Sequence, residues 1–317
     1  MRSHYFGVTG AVITSLTLLA VPVSASALPA GTAVADARIL VHFSLASGQQ
    51  PENIALEPGG AADLTFALIG QVVRVTRHGD VEPLATLPPA PAGAGAPILG
   101  APFTGGIVRA PNGTVFVNYS TGTADLTGVW ALRQGSAPVR VAALPPSSLA
   151  NGLARAPDGT MYVADSALGV IWRVPAGGGT PTVWASGPQL APSGFLGANG
   201  IKAGQGSVWV TNTDQGTLLR IPVGPGGAAG HIQTVAAGLA GIDDFALTRG
   251  GQFLAAINTT SQLALINPDG THAIVLTAAD GLSNPTSVAV AGRIVYVPSA
   301  AYFTQNDPNL LLASLTP

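Results

Sequence analysis

A single phrase of sequence recurs along this chain, and it constrains the fold more than any other feature. The clearest copy runs from Asn151 to Val174 as three short apolar strands separated by Gly-containing turns, and a fourth strand pattern follows at 182–185. Related copies recur at intervals of roughly 45 residues, which is the size of a four-stranded propeller blade. The copies begin at Glu52, Gly105, Asn151, Asn199, Asp243 and Thr286.

Four short strands per repeat, joined by turns rich in Gly, Pro and Asp, predict an all-β chain folded as a six-bladed β-propeller. The repeats show no apolar period of 3.6 residues, which disfavours a helical solenoid. The sixth repeat stops after three strands at Pro317, whereas Ala37–Phe43 is a strand pattern without a repeat of its own. We therefore expect Ala37–Phe43 to complete blade six and close the ring, because closure removes two exposed sheet edges.

The N-terminal segment has the layout of a secretory signal peptide. Basic residues precede an apolar run over 8–23, and the small residues Ala25-Ser26-Ala27 form a cleavage site. This run is shorter than the roughly 20 apolar residues of a membrane span and is interrupted by polar residues and a proline. The sequence predicts a signal peptide at 1–27 and a secreted propeller domain at 28–317, without membrane association after cleavage.

Composition narrows the classes of partner. The net charge is −2 and charged residues make up only 9% of the chain, so no basic stripe is present and nucleic acid is excluded as an expected partner. The chain has no cysteine, which removes disulfides and thiolate metal sites from consideration. A small-molecule substrate is the expected partner, and the sequence leaves the oligomeric state open.

The repeats place one residue each at the start of the innermost strand, where propeller symmetry brings them to a similar height around the central axis. These positions supply two carboxylates, Glu52 and Asp243, and two carboxamides, Asn151 and Asn199, without a Lys or Arg. Two carboxylates that face each other in a tunnel of low dielectric need a cation between them. Oxygen ligands without His or Cys favour Ca²⁺, or Mg²⁺ and Mn²⁺, over a structural zinc.

Each of these residues has a simpler interpretation when it is taken alone. Asn151-Gly152 and Asn199-Gly200 are also ordinary turn signals. A single acidic residue at the start of a strand is usually solvated surface. The prediction of a metal site therefore depends on four such residues sharing one repeat position, since unpaired carboxylates are rarely buried.

These positions resemble the SMP-30/gluconolactonase-like six-bladed propellers, whose relatives include the paraoxonases and the diisopropylfluorophosphatase-type phosphotriesterases. Such proteins hold a catalytic Ca²⁺ or other divalent ion with Glu, Asn, Asn and Asp from blades one, three, four and five. The corresponding residues here are Glu52, Asn151, Asn199 and Asp243. The phrase that begins at Asn151 is also similar to strictosidine-synthase-like propellers. The resemblance implies hydrolysis of an ester, lactone or phosphoester, with Asp243 as the base or nucleophile.

The sequence also departs from the pattern of that family. Glu52 lies in Pro-Glu-Asn rather than Glu-Gly-Pro, and Asp243 is followed directly by Asp244, which competes with it for the catalytic role. None of the five His residues pairs as a proton shuttle. Specificity for sugar lactones is therefore not supported, and the lack of Gly-x-Ser-x-Gly disfavours a serine hydrolase.

Loops at 89–104 and 187–198 enter the innermost strands and carry Phe103 and Phe195 but few charges. These two residues are the predicted substrate contacts, which favours a small apolar molecule; packing of the loops onto the rim is the alternative. The first function class is a secreted metal-dependent hydrolase of the lactonase or esterase type. The second is a non-catalytic, extracellular NHL-type binding propeller, and a strictosidine-synthase-like lyase is a third alternative.

Overall fold

The computed structural model describes residues 34–316, which form strands, turns and short 3-10 helices without an α-helix. The predicted signal peptide at 1–27 lies outside the described residues. Within residues 34–316, no helix has the length and apolar character that a membrane crossing requires. The 3-10 helices are Leu45–Ser47, Pro225–Gly227, Asn258–Thr260 and Ala278–Asp280.

The strands are numbered in chain order. Those of the first half are β1 (Val34–His42), β2 (Pro51–Leu56), β3 (Ala62–Phe66), β4 (Gln71–Val75), β5 (Val81–Thr86), β6 (Phe103–Arg109), β7 (Val115–Ser120), β8 (Gly128–Leu132), β9 (Val139–Ala143), β10 (Ala150–Arg155), β11 (Met161–Asp165) and β12 (Val170–Val174). Those of the second half are β13 (Thr182–Ser186), β14 (Ala198–Gly204), β15 (Ser207–Asn212), β16 (Thr217–Pro222), β17 (Gln233–Ala236), β18 (Ile242–Leu247), β19 (Phe253–Ile257), β20 (Gln262–Ile266), β21 (His272–Leu276), β22 (Ala289–Ala291), β23 (Ile294–Ser299) and β24 (Asn309–Leu315).

These strands form six antiparallel four-stranded sheets, and most sheets take their strands in chain order, as in β2-β3-β4-β5. The first strand of each sheet contacts the first strand of the next, and the last of them contacts β2 again. First strands are therefore innermost, and the sheets are blades around a central axis. The protein is a six-bladed β-propeller, as the repeats predicted. Its innermost strands are β2, β6, β10, β14, β18 and β22.

Blade six combines strands from both ends of the described chain, in the order β22-β23-β24-β1. Strand β1 pairs antiparallel with β24 from Val34 opposite Leu315 to His42 opposite Asn309. The predicted closure of the ring is therefore confirmed, although the strand begins at Val34 rather than Ala37 and ends at His42. Blade six also differs from the prediction at its centre, because β22 begins only at Ala289, after Thr286.

The hydrophobic core lies between the blades. Each pair of neighbouring blades shares a cluster of buried apolar side chains, such as Leu64 of blade one with Leu310 of blade six. Both faces of a blade are covered by its neighbours, so strands such as β3 and β7 are buried along their whole length. A further cluster, which includes Phe103 and Leu149, lies under the loops at one end of the axis. Phe103 and Leu149 of that cluster also line a pocket at this end of the axis.

Candidate metal centre and apolar pocket

A bulge near the start of the innermost strands directs the predicted side chains toward the axis. Glu52, Asn151, Asn199 and Asp243 are each the second residue of their strand, and all four line one pocket. At each of these sites the innermost strand carries one residue more than its partner before pairing resumes. A β-bulge of this kind leaves a residue unpaired and re-aims its side chain. The structure thus brings the four predicted side chains together at one end of the central channel.

The Asn-Gly pairs lie within strands β10 and β14, so their interpretation as turns is wrong. A Cβ on Gly152 would lie 2.3 Å from the Asn199 carbonyl oxygen, and one on Gly200 would lie 2.6 Å from the Asp244 Cα. Glycine is therefore needed because the innermost strands of adjacent blades approach closely. Blade two carries Gly105 at the ring position, where a Cβ would lie 2.7 Å from the Asn151 carbonyl oxygen. Blade two thus supplies no side chain to the ring.

The two carboxylates of the ring are buried and repel each other. Desolvation is the largest cause that raises the pKa of Glu52 to about 7, and the Asp244 charge raises it further, against a hydrogen bond from Tyr302. Desolvation also raises the pKa of Asp243 well above its ordinary value, and the charges of Glu52 and Asp244 add to this effect. A hydrogen bond from Asn199 and the Lys202 charge lower it only in part. A proton or a bound cation is therefore required to offset this charge.

Neighbouring groups orient the ring. The Tyr302 hydroxyl donates to Glu52 Oε2 at 2.5 Å. The Asn199 Nδ2 donates to Thr213 Oγ1 at 2.8 Å. The Asn151 carboxamide lines the pocket and makes no side-chain hydrogen bond to any other described residue. An unpartnered carboxamide beside two repelling carboxylates is a suitable set of ligands for a cation.

The chemistry of these donors fits a hard divalent ion. No group of three His, Cys, Asp or Glu side chains within residues 34–316 is arranged to hold a metal. The ring instead combines two carboxylates with two carboxamides, which are oxygen donors of the kind that Ca²⁺ binds. The residues that could hold the ion are Glu52, Asn151, Asn199 and Asp243.

An apolar cavity of about 320 Å³ opens above the ring. The predicted contact residues both line it: Phe103 is almost fully buried, whereas Phe195 is 48% exposed. Sequence reasoning missed Tyr302 and Phe303, which lie in the turn between β23 and β24. Strand order alone places that turn at the ring end of the axis, so it could have been found from the repeat pattern. Apolar and aromatic wall residues are Leu68, Leu99, Ala101, Phe103, Leu149, Phe195, Leu196, Tyr302 and Phe303.

The structure also distinguishes the positions of Asp243 and Asp244, which the sequence left open. Asp243 lines the pocket, whereas Asp244 does not. The Asp244 carboxylate instead accepts bonds from Lys202 Nζ at 2.6 Å and from Ser287 Oγ at 2.7 Å. It is thus neutralised and hydrogen-bonded below the ring, and Asp243 is the carboxylate available to a ligand. No signal in the sequence repeats indicated Lys202 as a partner.

Comparison with known proteins supports the fold. No family model and no curated protein matches this chain. Among solved structures, it resembles a gluconolactonase from Xanthomonas campestris, with 14% identity, a TM-score of 0.59 and coverage of 91% of this chain and 99% of that one. It resembles the calcium-binding protein regucalcin from Agrobacterium tumefaciens, with 16% identity, a TM-score of 0.61 and coverage of 84% and 90%.

A third similar structure is the PQQ-bound aldose sugar dehydrogenase from Streptomyces coelicolor, with 16% identity, a TM-score of 0.63 and coverage of 92% and 100%. These similarities confirm the six-bladed propeller and the predicted resemblance to gluconolactonase-like propellers at the level of the fold. Since proteins of different activity share this fold, the similarities alone do not determine an activity.

Proposed function

We propose that this protein is a secreted, metal-dependent hydrolase that cleaves an ester, lactone or phosphoester of a small apolar molecule. One observation carries the proposal: two buried carboxylates and two carboxamides converge at the floor of an apolar cavity that no Lys, Arg or His lines among the described residues. Similarity to a gluconolactonase and to a calcium-binding regucalcin is consistent with such a site. The export of the protein rests on the N-terminal sequence pattern.

A divalent ion would be held by Glu52, Asn151, Asn199 and Asp243, and the chemistry of these oxygen donors favours Ca²⁺. When bound, such an ion polarises a carbonyl or phosphoryl oxygen and lowers the pKa of bound water. Both carboxylates are needed to compensate its charge. Tyr302 keeps one Glu52 oxygen fixed by its hydrogen bond, so the ring is held in place before a ligand arrives.

Asp243 is the proposed base or nucleophile. It belongs to the floor of the cavity, and Asn199 hydrogen-bonds to it. A base must lie within hydrogen-bond reach of the proton that it accepts. Of the two pocket carboxylates, Glu52 already accepts a hydrogen bond from the Tyr302 hydroxyl, whereas Asp243 accepts none from a hydroxyl group within residues 34–316. Asp244 is not proposed for this role, because Lys202 and Ser287 hold its carboxylate below the ring.

The cavity wall supports an apolar class of substrate. Its side chains are mainly aromatic and aliphatic, and Phe195 and Phe303 form part of the opening. Hydroxyl groups of a sugar would lose water against this wall, and each hydroxyl left unpaired there costs about 1–3 kcal/mol. Among the described residues, the wall offers no cationic side chain to an anionic substrate. A neutral, apolar ester or lactone therefore fits best.

The decisive experiment combines metal analysis with a substrate panel. The mature protein is purified without added metal, analysed for Ca²⁺, Mg²⁺ and Mn²⁺, and assayed on aryl esters, aliphatic lactones, sugar lactones and phosphotriesters. We expect one bound divalent ion and turnover of the apolar substrates, both lost in Glu52→Gln and Asp243→Asn. Asp125→Asn is the matched control, because Asp125 is an exposed acid on the same end of the propeller.

The alternatives give different results in the same experiment. A protein that binds metal and an apolar ligand without turnover would be a binding propeller. Conversion of a substrate without consumption of water would indicate a lyase. A protein that neither retains metal nor loses stability in chelator would refute the proposed site.

A further inference from the structure

A second layer of side chains crosses the channel one residue below the ring. Its polar members are Asn53, Asp244 and Ser287 from blades one, five and six. Blades two to four carry glycine at this position, and a Cβ on Gly106 would lie 2.3 Å from the Leu153 backbone nitrogen. Blades two, three and four therefore contribute no side chain to this layer, and its polar groups lie around Asp244.

Asp244 is the centre of this layer. Its carboxylate is 1% exposed and accepts bonds from Lys202 Nζ, which lies 2.6 Å from both carboxylate oxygens. The Ser287 hydroxyl donates to Oδ2 at 2.7 Å, and the Asn53 Nδ2 donates to the same oxygen at 3.1 Å. Four blades thus meet at one carboxylate, and the single cation among its partners is the Lys202 ammonium.

Lys202 approaches from the end of the propeller opposite the apolar pocket. It lies on β14 and lines a separate cavity of about 400 Å³ together with Arg109 and Arg155. Its side chain is 34% exposed, and its ammonium also lies 5.5 Å from the centre of the Phe245 ring. The ammonium therefore reaches Asp244 from below while the ring lies above it.

The charge of this pair acts on the ring. Asp244 directly follows the ring residue Asp243 in β18, and Lys202 Nζ lies 2.6 Å from the Asp244 carboxylate oxygens, so both charges of the pair lie next to the ring. The ring and the layer below it together hold three carboxylates. The positive charge of Lys202 offsets one of them, so the net negative charge is close to that of two carboxylates. A bound ion would experience this difference directly, since charges in a protein interior are weakly screened.

We propose that the Lys202–Asp244 pair sets the charge of the metal ring and thereby selects divalent over trivalent ions. The inference rests on the proposed metal site and adds Lys202 as a residue that determines ion specificity. Lys202 does not contact the ion in this arrangement; it acts through Asp244. Loss of the ammonium should favour a trivalent ion, and loss of the Asp244 carboxylate should disfavour it.

The test is a charge series measured by calorimetric titration of the mature, metal-free protein with Ca²⁺ and with Tb³⁺. At an effective dielectric constant of about 20, loss of one unit of charge next to the ring should change the ratio of the two affinities by about tenfold or more. Lys202→Met should raise the preference for Tb³⁺ by that factor, and Asp244→Asn should lower it. The double variant should return to the wild-type ratio, because both charges are removed together.

Arg155→Met is the matched control, since Arg155 lines the same lower cavity and its side chain makes no hydrogen bond or ion pair among the described residues. If Lys202→Met does not fold, Asp244→Asn and the double variant carry the same comparison. If wild type binds both ions and the folded variants show the same ratio of Tb³⁺ to Ca²⁺ affinity, the proposed role of the Lys202–Asp244 pair is wrong, while the metal site stands. Wild type that binds neither ion overturns the proposed metal site, and this inference falls with it.

Discussion

Raising the pH should destabilise the protein when chelator keeps the ring free of metal. Burial is the main cause that raises the pKa of Glu52 from 4.5 to about 7. The unfolded chain releases this proton near pH 4.5, whereas the folded protein retains it until about pH 7, so the folded state binds more protons between these values. The free energy of unfolding must therefore fall as the pH rises through this window.

The difference between 4.5 and about 7 corresponds to about 3 kcal/mol, at roughly 1.4 kcal/mol per pH unit. Glu52→Gln carries no charge that burial could penalise, so at pH 8 in chelator this variant should be more stable than wild type by a similar amount. Asp243 acts in the same direction, since burial and the Glu52 charge raise its pKa. Calcium should reverse the order, because an ion at about 1,000 times its dissociation constant stabilises the folded wild type by about 4.1 kcal/mol.

Urea unfolding followed by tryptophan fluorescence, at several pH values from 5 to 8 with chelator or with Ca²⁺, measures these quantities. Glu82→Gln is the control, since Glu82 is exposed on an outer strand and should leave the pH dependence unchanged. A free energy of unfolding that stays constant over this range in chelator, or a Glu52→Gln variant no more stable than wild type, would refute the reasoning.

Three further predictions follow from the same geometry. Asn151→Ala should weaken Ca²⁺ binding without abolishing it, because the ring keeps both carboxylates; calorimetry should show measurable residual affinity. Phe195→Ala should raise KM for apolar esters with little change in kcat, since Phe195 lies at the cavity opening. Equal falls in kcat and kcat/KM, with KM unchanged, would contradict a binding role. Gly152→Ala should destabilise the protein by about 3 kcal/mol or more, since its Cβ would lie 2.3 Å from the Asn199 oxygen; a variant that unfolds at the wild-type urea concentration would contradict this packing.

The arrangement of the ring follows from the repeats, because residues at equivalent positions of symmetric blades must lie around one axis. Glu52, Asn151, Asn199 and Asp243 therefore share one pocket, as the sequence predicted. The meaning of the glycines did not follow from the sequence. Gly152 resembles a turn residue locally, and only the distance to the neighbouring blade shows that it permits close packing of strands.

Tyr302 and Lys202 show where sequence reasoning stops. Tyr302 is 250 residues away in sequence from Glu52, to whose carboxylate it donates. Lys202 of blade four hydrogen-bonds to Asp244 of the adjacent blade five. Strand order places the turn that holds Tyr302 at the ring end of the axis, but it does not show that the hydroxyl reaches Glu52, and no repeat position indicated Lys202. Their side chains reach their partners through the channel, and their contacts depend on the diameter of the ring and the offset between its layers.

Periodicity and pairing between successive strands are enough to predict the six blades, their closure by an N-terminal strand and the four residues of the ring. Which of two adjacent carboxylates faces the pocket depends on the folded strand. A bulge in β18 sends Asp243 into the pocket and Asp244 toward Lys202, although both residues are buried. Alternation along a strand cannot predict this outcome, since the bulge interrupts the alternation where the two residues lie.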